Sequence, residues 1–169
     1  MSAAQKREPR AFPLAAWRPR FLRWMARRFY RLPVRRKLQV LEAVICLALA
    51  RIALFFVPFR ILAARFGVLA GSGAPGGPVL SETQCAKARE IGWAVTRAAR
   101  YTPFRAVCLP QAIAAKAMLS RRGIGSVMHF GVAKMADAPL AAHAWLDAGP
   151  VEVTGFPVGE GFVEVARFL

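Results

Sequence analysis

An α+β fold, with helices first and an antiparallel sheet after them, is what this sequence predicts, on three observations. Apolar positions recur with helical period as far as about Gly123; beyond Gly125 the pattern turns to short alternating runs; proline, glycine and a capping signature fall at the borders between segments. At 169 residues the chain holds one compact domain with an appendage.

Residues 1–18 are charged and proline-containing and read as a loose lead. Pro19 to Pro33, "PRFLRWMARRFYRLP", is framed by prolines. At about 100° per residue Phe21, Leu22, Trp24, Met25, Phe29 and Leu32 share one face and Arg20, Arg23, Arg27 and Arg31 the other. Such a basic amphipathic helix either adheres to an anionic membrane or acidic partner, or packs its aromatic face on its own domain. Leu38 to Gly67 is an apolar helical stretch that Pro58 breaks or bends. Arg51 near its middle would cost roughly 2.5 kcal/mol in a bilayer, and the run is short for a span. A buried or interface-lying helix pair is therefore favoured over a transmembrane one. "GSGAPGGP", Gly71 to Pro78, is a linker. The division expected is a basic arm over 1–33, an apolar helical segment over 34–70, a linker over 71–80 and a core over 81–169.

Ser81 to Gln84, "SETQ", has capping-box spacing and opens a helix to about Arg100, ended by Thr102 and Pro103. Pro110 suits the first turn of a second helix, with Arg121 and Arg122 near its end and Gly123 as the stop, which puts Cys108 and Leu109 at its cap. Four strands follow: "SVMHFGVA", "AHAWLDA", "VEVTGF" and "FVEVARF". The loop "KMADAP" joins the first two, and Gly149 and Pro150 turn the second into the third.

The net charge of +16 draws the protein to anionic surfaces. A hydrophobic fraction of 56% and mean hydropathy of +0.36 leave apolar surface for a partner or a lipid interface. No nucleic-acid-binding motif accompanies the charge, so nucleic acid is not expected as a partner. Cys46, Cys85 and Cys108 form no CxxC pair and there are only two histidines, so a zinc site lacks material and no metal or cofactor is expected. The arginine-rich start carries no apolar run with a cleavage site, and the expectation is a cytoplasmic protein with free thiols, with a peripheral membrane contact as an open alternative.

A thiol at a helix N-terminus feels the positive end of the macrodipole, which favours its thiolate over that of a free cysteine near pKa 8.5. Cys108 is thus a candidate nucleophile, although a lone cysteine is more often an apolar filler, as Cys46 and Cys85 read. His143, starting a strand between small alanines, is the better base; His129 reads as structural. A cysteine on a helix cap facing a histidine on an adjacent sheet is the geometry of papain-like and transglutaminase-like hydrolases.

Over roughly Leu32 to the C-terminus, "LPVRRKLQVLEAVICLALARIAL", "AARYTPFRAVCLPQAIAAKAMLSRRGIGSVMHFGV", "AHAWLDAGPVEVTG" and "GFVEVARF" together resemble the leader peptidase of lasso-peptide biosynthesis, the B protein, whose catalytic domain is transglutaminase-like. The specific signal is the combination of "CLPQA", "RRGI", "HFGV" and "AHAW" at these spacings. The resemblance implies that Cys108 attacks the bond joining leader to core and that His143 is its base. The family's aspartate falls at Thr154 and Gly155, so it is missing here. A two-residue turn at Gly149 and Pro150 would face Ala148 with Val151 and His143 with Phe156, placing Thr154 as the nearest acceptor for the imidazole and therefore as the candidate third catalytic residue. Asp147 shares that face but lies about 13 Å along the strand. The backbone N–H of Cys108 is expected to hold the oxyanion, with Gln111 a further contributor or a solvated helix residue. Trp145 is expected to pack under His143.

The roughly 31 residues ahead of the resemblance are too few for a leader-binding domain. The split form is implied, with a precursor peptide as substrate, a separate leader-recognition protein and an ATP-dependent cyclase as partners. Two alternatives stay open: an acyltransferase of the same fold, and a non-catalytic adaptor that holds the precursor at a membrane surface.

Overall fold

The computed structural model describes residues 32–58, 60–62, 69–70, 77–135 and 138–169. The basic helix expected over Pro19–Pro33 falls almost wholly outside them, as do 71–76 of the linker.

Helix α1 (Val34–Phe56) stops two residues before Pro58, whose ring cannot continue the ladder. Helix α2 (Glu82–Ala99) begins at the capping box: the Ser81 hydroxyl accepts from the Gln84 N–H, and the Gln84 side chain accepts from the Ser81 N–H at 2.9 Å. Thr102 closes its far end, donating to the Ala99 and Phe104 carbonyls. Helix α3 (Cys108–Ser120) starts at the cysteine itself, with Val107 as an N-cap that offers no side-chain bond.

The strands are β1 (Leu69–Ala70), β2 (Val127–Met135), β3 (Ala138–Ala148), β4 (Val151–Thr154) and β5 (Val163–Phe168), in the antiparallel order β1-β5-β2-β3-β4. The α+β prediction is thus met. Residues 69–70, expected within the apolar helical segment, instead form a short edge strand on β5. "KMADAP" is shorter as a loop than expected, since β2 runs to Met135 and β3 begins at Ala138.

From Leu38 to Leu169 the chain forms one compact unit, so the segment from Leu38 to residue 70 belongs with the region after the linker. Its core joins Ala43 and Leu47 of α1, Ile91 and Val95 of α2, Ala115 and Met118 of α3, and Met128 and Leu146 of the sheet, all fully buried. Cys46 and Cys85 lie in that core, as free thiols. Glu42 on α1 takes both Arg121 and Arg122 beyond the end of α3, the latter at 2.7 and 2.9 Å. These arginines, read from sequence as helix-end cations, tie the first helix to the third.

The turn at Gly149 and Pro150 pairs Ala148 with Val151 as expected, and Asp147 with Glu152. The ladder then shifts: Leu146 pairs with Thr154, leaving Val153 as the extra residue of a β-bulge. The expected pairing of His143 with Phe156 assumed an unbroken register and is not formed: the ladder between β3 and β4 ends at Leu146 and Thr154.

Candidate active site

Cys108 and His143 line the same cleft, of about 570 Å³, together with Gln111, Glu152 and the segment 153–157. Cys108 is half-buried as the first residue of α3, and Pro110, fully buried two residues on, needs no N–H partner in the first helical turn. In that first turn Pro110 has no N–H and the Gln111 N–H donates to the Val107 carbonyl, so the N–H groups of Cys108 and Leu109 are the ones left without an intrahelical partner. Gln111 is half-buried, and its Nε2 donates to the Ala106 carbonyl at 2.7 Å, bracing the segment leading into Cys108.

His143 on β3 is fixed on three sides. Trp145 stacks on it at 5.9 Å between ring centroids, as expected, and Phe162 lies tilted at 5.4 Å. The third contact corrects the sequence reading: Nε2 of His143 lies 2.7 Å from the carbonyl oxygen of Gly155, not at Thr154. The Thr154 hydroxyl is buried without a hydrogen-bond partner among the described residues, and Thr154 pairs with Leu146 beside the bulge. A main-chain carbonyl thus stands at the place where the resemblance anticipates an aspartate. Only glycine fits there. Its φ is +84°, and a Cβ would come within 2.5 Å of the Ala144 carbonyl oxygen.

A carbonyl only accepts, so this bond puts the proton of the neutral imidazole on Nε2 and leaves Nδ1 as the basic nitrogen. An imidazole set in that tautomer, in a cleft that a thiol also lines, has a nitrogen free to exchange a proton with a nucleophile and a leaving group.

His129, expected to be structural, sits behind this array. Its ring is parallel to Trp145, within 2° at 5.3 Å, so the indole is sandwiched between the two histidines. Trp145 can lie flat there because Gly131 presents no side chain; a Cβ at that position would be 2.7 Å from the ring. Nε2 of His129 is 2.6 Å from the Asp147 carboxylate, and Nδ1 is 3.2 Å from Glu164 without hydrogen-bond alignment. Burial alone would push His129 toward the neutral form. The bond and charge of Asp147, with Glu164 behind, outweigh it and raise the histidine above its ordinary value. Arg167 holds Glu164 at 2.8 Å and, despite some desolvation, lowers its pKa.

Asp147 thus serves His129 and not His143. Sequence reasoning missed the Gly155 carbonyl and Phe162; a glycine directly after a strand, at the vacant aspartate position, was the available signal. Among the described residues no three or more His, Cys, Asp or Glu side chains are arranged to hold a metal ion.

A family model described as the transglutaminase-like superfamily matches residues 53–167, which include Cys108, His143 and Gly155. No curated protein and no solved structure matches the chain.

Proposed function

Because the chain belongs to the transglutaminase-like superfamily, which includes cysteine peptidases and acyltransferases, we propose that it is a cysteine peptidase that removes the leader from a lasso-peptide precursor. The observation that carries the reading is the 2.7 Å bond from His143 to Gly155, which sets the imidazole as a base in the cleft that Cys108 lines. The substrate class is supported by the resemblance of "CLPQA", "RRGI", "HFGV" and "AHAW", taken together at their spacings, to the lasso-peptide leader peptidases.

In this reading Nδ1 of His143 takes the proton of the Cys108 thiol as sulfur attacks the carbonyl carbon of the last leader residue. N–H groups at the start of α3 stabilise the oxyanion. Collapse breaks the C–N bond, and the proton passes from Nδ1 to the departing amine, which is the N-terminus of the core peptide. Water then attacks the thioester with its proton going to Nδ1; the C–S bond breaks, the thiol regains its proton, and the leader leaves as a carboxylic acid. The freed core amine is the group a cyclase needs to close a macrolactam. The main-chain carbonyl of Gly155 orients the imidazole without a full negative charge. It therefore stabilises the imidazolium less than an aspartate would, and turnover is slower for it.

The test incubates a precursor with this protein and a leader-recognition protein and reads the products by mass spectrometry. Separate leader and core peptides, absent with Cys108→Ala, support the reading. Intact precursor that still binds turns it to the adaptor, and a leader joined to an added amine turns it to the acyltransferase.

A further inference from the structure

We propose that the outer face of α1 docks the protein on the surface of an anionic lipid bilayer, with the helix lying flat. The inference does not rest on the peptidase reading.

Along α1, Leu38, Leu41, Ile45, Leu49, Ile52 and Phe56 recur at three- and four-residue spacing on one side of the helix, each between 52% and 75% exposed. The opposite side, with Val40, Ala43, Cys46, Leu47 and Ala50, is buried. Single exposed apolar residues are ordinary on a protein surface, but six in line on one helix form a continuous stripe. The helix is long and apolar enough to cross a membrane. Crossing would strip Ala43 and Leu47 from the core and pull Glu42 from its two arginines, whereas lying flat leaves every one of those contacts in place.

Charge selects the occupant. Residues 1–37 hold twelve basic residues and one acid, Glu8, so eleven of the sixteen net positive charges precede Leu38 and run directly into the stripe. Arg51 and Arg60 are exposed further along. Apolar side chains bordered by cations match acyl chains bordered by phosphate headgroups. A second copy of the chain would bring the same positive charge to the contact, and a nucleic acid would leave the stripe in water.

The experiment is co-sedimentation of the full chain with vesicles of phosphatidylcholine alone and of phosphatidylcholine mixed with phosphatidylglycerol. The expected result is binding to the mixed vesicles, weakened by salt, released by an alkaline carbonate wash, and reduced about tenfold or more in the triple variant Leu41→Ser, Ile45→Ser, Leu49→Ser. Circular dichroism and melting establish that the variant is folded; if it is not, the single substitution Leu49→Glu is read in the same way. Four results would overturn the proposal. They are no binding by the wild type, equal binding by the folded variant, retention after carbonate, and a concentration-dependent dimer abolished by the substitutions without any vesicle binding.

Discussion

The Nε2 atom of His143 donates to the carbonyl oxygen of Gly155 across 2.7 Å, so a glycine backbone holds the imidazole in the cleft that Cys108 also lines. A side chain at residue 155 would meet the Ala144 carbonyl, and the positive φ penalises any L residue. Gly155→Ala is expected to lower the cleavage rate by about tenfold or more through misplacement of His143. Steady-state kinetics checks this, with a melting curve to separate loss of fold from loss of alignment.

Thr154→Val gives the opposite expectation. The hydroxyl is buried and unpaired, so its removal sacrifices no bond. Activity should stay within about twofold of wild type, and stability should hold or rise by up to about 1 kcal/mol. A large fall in activity would restore Thr154 to the role that an unbroken register predicts for it.

His129 makes stability depend on pH. Its raised folded value means that the native state holds the proton more tightly than the unfolded chain does. That contribution is fully present below the unfolded value of about 6.5 and is lost as pH rises through the raised folded value. Glu164, lowered chiefly by Arg167, contributes above the unfolded carboxylate value of about 4.3, and its contribution is lost as pH falls through its folded value. Melting temperature is therefore expected to decline from about pH 6.5 upward. His129→Gln should melt lower at pH 6 and show a flatter slope above it.

Gly131→Ala should push the Trp145 ring off its seat, since the added methyl would lie within 2.8 Å of two ring carbons. A loss of about 1–3 kcal/mol is expected from overpacking. The disturbance reaches His143 through the stacked indole, so the fluorescence of Trp145 and the cleavage rate should change together.

Glu42→Gln removes the anion that both Arg121 and Arg122 bind, in a partly buried setting. The bond from Arg122, set against some desolvation and joined by the charge of Arg121, holds Glu42 below its usual range. A loss of about 1 kcal/mol is expected at neutral pH. The difference from wild type should shrink as pH falls through the folded value of Glu42. Urea denaturation at several pH values measures it.

Much of the fold was legible because its signals are local. Proline and the Ser81 capping box end and start helices through bonds within one turn, and the alternation of buried residues marks strands. Cys108 and His143 could be named from their positions on those elements. The third contact was not legible, since one extra residue at Val153 moves the register, and a bulge of that kind is set by packing between strands and helices. Nor does sequence alone pair Asp147 with His129, or Glu42 with the arginines about eighty positions away. Such ion pairs follow from where the elements come to rest.

The pairing of Cys108 with His143 is tested most directly by the rate at which each cysteine reacts with iodoacetamide, mapped by peptide mass spectrometry in wild type and in His143→Ala. It needs no knowledge of the substrate. Cys108 is expected to be labelled first, ahead of the buried Cys46 and Cys85, and its rate is expected to fall about tenfold or more without His143. Labelling of Cys108 at an unchanged rate in the variant would contradict the claim that His143 activates the thiol.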